Sequence, residues 1–126
     1  MKKSQWSFLM LTAISLSVMT LIISFQVQTV KVTGTWNMAV QTSQGSGNPV
    51  LVLKQAGDTL ITGTYTGQFG EAPLKGTVKA DKIYLQISAS DLTMEYIGTV
   101  DGNSMRGKVK FGSYGEGTFT GKKKQE

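Results

Sequence analysis

The run Met94-Glu95-Tyr96-Ile97-Gly98-Thr99-Val100-Asp101-Gly102-Asn103-Ser104-Met105-Arg106-Gly107-Lys108-Val109-Lys110 decides the fold. Met94, Tyr96, Gly98 and Val100 share one parity, with Met105, Gly107 and Val109 after the break. Thr93, Glu95 and Thr99, then Arg106, Lys108 and Lys110, share the other. Period-two alternation on both sides of Asp101-Gly102-Asn103 predicts two antiparallel strands joined by a tight hairpin. A glycine sits in the middle of each strand. It costs stability there unless the strand bends sharply or another backbone comes close.

Working outward, Gly-Thr followed by an aromatic or β-branched residue recurs as Gly34-Thr35-Trp36, Gly63-Thr64-Tyr65, Gly76-Thr77-Val78, Gly98-Thr99-Val100 and Gly117-Thr118-Phe119. Gly107-Lys108-Val109 is a variant of the same unit. A bending glycine in most strands, with an apolar residue two positions on, predicts a small closed barrel. The expected strands are 30–41, 50–56, 59–67, 73–80, 82–89, 92–101, 104–111 and 114–121. The fold expected is all-β: an eight-stranded up-and-down antiparallel barrel.

The glycine-marked parity gives the interior. It collects Val32, Gly34, Trp36, Met38 and Val40 from the first strand, then Ile61, Gly63 and Tyr65 from the third. Leu74, Gly76 and Val78 precede Ile83, Leu85 and Ile87, and Phe111, Gly117 and Phe119 complete it with the central hairpin. Val50 to Leu53 breaks the alternation, and Leu51 and Leu53 are taken as its inward pair.

Composition removes several chemistries. The 126 residues include no cysteine and no histidine, which excludes disulfides, thiolate metal sites and the usual base near neutral pH. Asp58, Asp81 and Asp101 sit beside expected turns, where an aspartate stabilises the turn. Glu71, Asp91 and Glu95 are too separated in strand and face to read as a carboxylate pair. A non-enzyme without cofactor or metal is expected. The net charge of +5 comes from the ends, since residues 31–121 hold eight basic and seven acidic side chains. No basic stripe interleaves with exposed aromatics, so nucleic acid is not an expected partner.

No charge occurs between Lys3 and Lys31, and Phe8 to Phe25 is mostly apolar. Eighteen helical residues reach about 27 Å, near the thickness of a thin hydrocarbon core. A cleaved signal peptide would carry small residues before its cut, and no good site lies between Phe25 and Gly34. The reading is therefore an uncleaved signal-anchor helix in residues 1–29, a barrel in 30–121 and a basic tail in 122–126. Lys2 and Lys3 place the N-terminus in the cytoplasm and the barrel outside. Lys31, Lys122, Lys123 and Lys124 would then gather at the membrane-proximal end, beside the lipid bilayer. The longer connections, Thr42 to Pro49 and Gln68 to Pro73, would lie at the distal end.

Gly34-Thr35-Trp36 resembles the Gly-x-Trp start of the lipocalin and avidin-like barrels, the calycins. That resemblance implies a tryptophan closing one barrel end under a basic side chain of the last strand, a part that Lys122 would play. Met38 stands where avidin-like proteins carry an asparagine, and the lipocalin Thr-Asp-Tyr motif is absent. The stretch Pro49 to Ala89 is also similar to small extracytoplasmic bacterial β-barrel modules, found alone or appended to secreted amidohydrolase-like enzymes. That likeness implies a bacterial cytoplasmic-membrane protein, single-pass, with its barrel on the periplasmic or extracellular side. It carries over no activity.

Two functions follow. The first is an accessory or scaffolding subunit of a membrane protein complex, meeting another membrane or extracytoplasmic protein through Asn48, Phe69 and Glu71 at the distal loops. The alternative is a carrier holding a small hydrophobic molecule among Trp36, Tyr65, Met94, Tyr96 and Phe111. A cavity of about 300 Å³ would cost about 7 kcal/mol at roughly 24 cal/mol per Å³, comparable to a whole domain's stability. The expectation is therefore a lumen plugged by Tyr65, Tyr96, Met94 and Phe111, and the scaffold is the first reading.

Overall fold

The computed structural model describes residues 28–125. The expected anchor helix lies outside the described residues, among which no helix is long and apolar enough to cross a membrane. Nine strands form: β1 (Gly34–Thr42), β2 (Gly45–Gly47), β3 (Val50–Ala56), β4 (Leu60–Gly67), β5 (Gly70–Lys79), β6 (Lys82–Ala89), β7 (Leu92–Asp101), β8 (Ser104–Lys110) and β9 (Glu116–Lys123). β2 is only a short extension that folds back on the end of β1. The other eight run antiparallel in chain order, and β1 pairs with β9 from Trp36↔Lys123 to Thr42↔Gly117. The barrel is closed.

The expected interior parity holds along the strands. Trp36, Met38, Leu51, Leu53, Leu85, Tyr96 and Phe119 are all buried, and no charged or polar residue is buried among the described residues. The mid-strand glycines explain the curvature. Gly98 and Gly107 face each other in register, and a Cβ on Gly107 would collide with the Ile97 carbonyl oxygen. Elsewhere a glycine faces a large side chain, as Gly63 does Leu53 and Gly121 does Met105, so each bend is filled from the next strand.

Two expectations need correction. The connection Gln68 to Pro73 is not a long loop: β5 begins at Gly70, leaving only Gln68 and Phe69 as the turn. Pro73 lies within β5, opposite Thr64 of β4, at the point where β5–β6 pairing stops with Leu74↔Ile87. A residue without an N–H belongs where a ladder has ended. The second correction concerns the basic side chain at the tryptophan. β9 runs through Lys122 and Lys123, and parity turns Lys122 outward while half-buried Lys123 pairs with Trp36. The Lys123 stem occupies the space where Gly34 has no Cβ. The covering residue is Lys123, one position later than expected.

One end of the barrel is plugged. Val30 N donates to Ala80 O at 3.0 Å, and Val32 N donates to Gln55 Oε1 at 2.9 Å. Gln55 Nε2 donates to the carbonyls of Val30 and Asp58, at 3.1 Å each. These bonds hold the segment before β1 across the barrel end, where Val32 is fully buried and Trp36 Nε1 donates to its carbonyl at 2.8 Å. Lys31 also lies at this end, 3.8 Å from Asp58. The short turns after β3, β5 and β7 and the end of β9 share it.

Candidate functional site at the open barrel mouth

The other end is open. Four connections surround it: the β1–β2 hairpin with Asn48 and Pro49, the Gln68-Phe69 turn, the Ser90-Asp91 turn, and Phe111 to Gly115. They line a cup, open to solvent, of about 520 Å³. The reason lies in side-chain size. Toward the plugged end the lumen holds Trp36, Leu53 and Ile61, whereas Val40 and Ala89 are buried residues walling the cavity from β1 and β6. Small walls leave space that large ones would fill.

Met38 N donates to Pro49 O at 3.0 Å, tying one mouth connection to β1, and two turns are fixed by local bonds. Thr42 Oγ1 donates to Gly45 O and accepts from Gln44 N, both at 3.1 Å, which fixes the β1–β2 turn. Phe111 N donates to Gly115 O at 2.9 Å and Tyr114 N to Phe111 O at 3.0 Å, closing a single 3-10 turn over Gly112–Tyr114. That turn brings Phe111 and Tyr114 to the cavity.

The lining is strongly aromatic. Tyr65 and Tyr96 are buried residues reaching the cavity from β4 and β7, and Phe69, Phe111 and Tyr114 stand nearer its rim. The Phe69 and Phe111 rings lie 6.5 Å apart, tilted at 51°. Burial pushes the Tyr65 phenol above its ordinary value, against a smaller opposing effect of the Phe69 backbone N–H. Gly67 leaves room for the Tyr65 hydroxyl, which a Cβ there would strike. Burial raises Tyr96 much further, with the neighbouring Tyr65 adding to it. Both phenols stay neutral near pH 7 and present O–H groups.

Of the residues expected to hold a ligand, Tyr65, Tyr96 and Phe111 come together at this cavity. Met94 is fully buried in β7 without lining it, and Trp36 belongs to the plugged end. The expected continuous plug is therefore half present: the lumen is filled below and open above. Of the expected partner-binding residues, Asn48 and Phe69 line the cavity, while Glu71 points away on the exposed parity of β5. Lys31, Lys122, Lys123 and Lys124 all lie at the opposite end.

Sequence reading missed Ala89, Leu92, Gln68 and Tyr114. The signal for Ala89 was present, since the alternation Ile83, Leu85, Ile87 continues to it. Tyr114 had no periodic signal because it lies in the 3-10 turn.

The outer wall carries a second feature. Lys79, Lys82, Arg106, Lys108 and Lys110, scattered in sequence, border one shallow depression across β5 to β9. Glu116 sits among them, and Tyr84 in the same depression donates to Glu95 at 3.1 Å. This is a mixed-charge face with one half-buried ring. No group of residues suited to hold a metal occurs among the described residues.

No protein-family model matches the sequence, and no curated protein matches it. Solved structures do resemble it. A redesigned beta barrel, mFAP1, bound to DFHBI is 16% identical with a TM-score of 0.58, over 73% of this chain and 94% of that chain. A de novo designed fluorescence-activating beta barrel is 19% identical with a TM-score of 0.51, over 74% and 94%. Fatty-acid-binding protein 1 of Echinococcus granulosus is 14% identical with a TM-score of 0.48, over 74% and 97%. At these identities the likeness is one of fold alone: a small antiparallel β-barrel.

Proposed function

We propose that this chain is a non-enzymatic binding barrel that holds a small, largely apolar molecule in the cup at its open mouth. The observation that carries the reading is the cavity of about 520 Å³, inside the size range of ligand pockets, roughly 300–1,000 Å³. An interior this small does not stay open by default. Larger inward side chains at Val40 and Ala89 would fill it, and the chain carries small ones there. The mouth also combines apolar walls with polar side chains such as Gln68 and Asn48, the mixture that orients a small molecule.

The scaffold reading keeps one observation in its favour. Phe69 is 41% and Tyr114 72% exposed, so the rim offers two rings to a partner as well as to a ligand. Membrane tethering through the apolar N-terminal segment, on the outer side of a bacterial cytoplasmic membrane, is part of the proposal and rests on the sequence. With the chain entering beside the plugged end, such a tether would leave the cup facing away from the bilayer.

The test is calorimetric titration of the full chain in lipid nanodiscs with an uncharged solvatochromic dye, using Ala89→Phe as the control for partition into lipid. Saturable binding to the wild type, absent from the filled-cup variant, is expected. Equal uptake by both proteins would reject the reading.

A further inference from the structure

The charge around the cup narrows the ligand, on the premise that the cup is a binding site. Five aromatic residues line it, yet among the described residues the only ionisable aliphatic side chain that does so is Asp91 in the β6–β7 turn. No described lysine or arginine lines it. The basic residues of the described chain are elsewhere. Lys31 and Lys122 to Lys124 lie at the plugged end, and Lys79, Lys82, Arg106, Lys108 and Lys110 border the outer depression. Lys54 and Lys75 are exposed on the outward parity of β3 and β5. Lys110 reaches the mouth end of β8 on the outward parity, in register with Glu95 and Glu116. Glu71 and Glu116 are exposed in the first two residues of the strands that leave the mouth.

An anionic lipid carried into this cup would surrender part of its hydration without meeting a cation, which disfavours an unpaired carboxylate there. A cation meets the opposite situation. Ring faces carry partial negative charge and attract organic ammonium groups, and several rings around one carboxylate form the cage that such groups favour. We infer that the cup selects a cationic apolar ligand, an organic ammonium with an aromatic or short aliphatic body, and discriminates against fatty-acid-like anions. Phe69, Phe111 and Tyr114 would face the ammonium group, Asp91 would supply the counter-charge, and Tyr65 and Tyr96 would meet the body.

The experiment uses the full chain in uncharged nanodiscs and three probes of similar shape: benzyltrimethylammonium, its uncharged carbon isostere neopentylbenzene, and benzenesulfonate. Binding is located by amide shifts of Ala89, Leu92 and Phe111. The cation should bind there on the order of tenfold more tightly than the isostere, the scale of a partly desolvated cation–ring contact. The sulfonate should bind weakest. Asp91→Asn should weaken the cation several-fold and leave the isostere unchanged. Equal or tighter binding of the isostere or the sulfonate at those amides would overturn this inference while keeping the binding barrel. Absence of all three probes from the mouth would remove both.

Discussion

Trp36 Nε1 donates to the Val32 carbonyl at 2.8 Å, tying the largest core side chain to the strap that closes one end of the barrel. The two ends thereby differ in kind. At one, an indole, a lysine stem and a glutamine-held segment exclude water. At the other, the small Val40 and Ala89 leave an open cup beside Tyr65 and Tyr96, beneath a rim of rings.

Trp36→Ala should destabilise the fold by about 3–5 kcal/mol, since it empties a fully buried aromatic site and orphans a strap carbonyl. Thr77→Ser, on the exposed parity of β5, should change stability by less than about 0.5 kcal/mol. Chemical denaturation of both variants checks this, and the reverse order would mean an inverted interior.

Gln55→Ala removes the acceptor of the Val32 N–H and a donor to the Val30 carbonyl. A loss of about 1–3 kcal/mol is expected. Hydrogen exchange at the Val32 amide should accelerate, while the amides lining the mouth keep their protection.

Gly63→Ala would drive a Cβ into the Val52 carbonyl of the neighbouring strand. The cost should reach about 3 kcal/mol or more, because backbone has to move rather than a side chain. Thermal unfolding measures it, and a near-wild-type Tm would show that the strand does not bend there.

Stability should fall as the solution becomes strongly alkaline. Burial raises the folded-state values of Tyr65 and Tyr96 above the ordinary 10.0, and Tyr96 by far the more. For an acid whose value is raised by folding, the stabilisation is complete below the unfolded value and disappears as pH climbs through the folded one. Tyr96→Phe should flatten that alkaline decline. Ultraviolet titration of the phenolates should show Tyr96 ionising together with unfolding.

The fold was legible because strand parity and turn chemistry are local. Met94 to Lys110 alone states two strands, a turn and an interior face, and β3, β6 and β7 form with the expected bounds. Pro73 misled because a proline reads as a strand boundary, whereas here it only marks where one neighbour drops away. The cup was not legible. Its existence depends on how Val40, Ala89 and the connection around Tyr114 converge in space, and that convergence carries no periodic signature. An average cavity cost argued for a filled lumen, but the lumen divides into a packed half and an open half.

The central claim is that the open mouth is the ligand site. Its most direct measurement is a map of backbone amide shifts in the isotope-labelled full chain during titration with benzyltrimethylammonium. The account predicts saturable shifts confined to Val40, Gly47, Phe69, Ala89, Leu92 and Phe111, with Thr77, Tyr84 and Lys108 of the outer wall unmoved. Shifts centred on that outer wall, or none at the mouth at saturating probe, would contradict it.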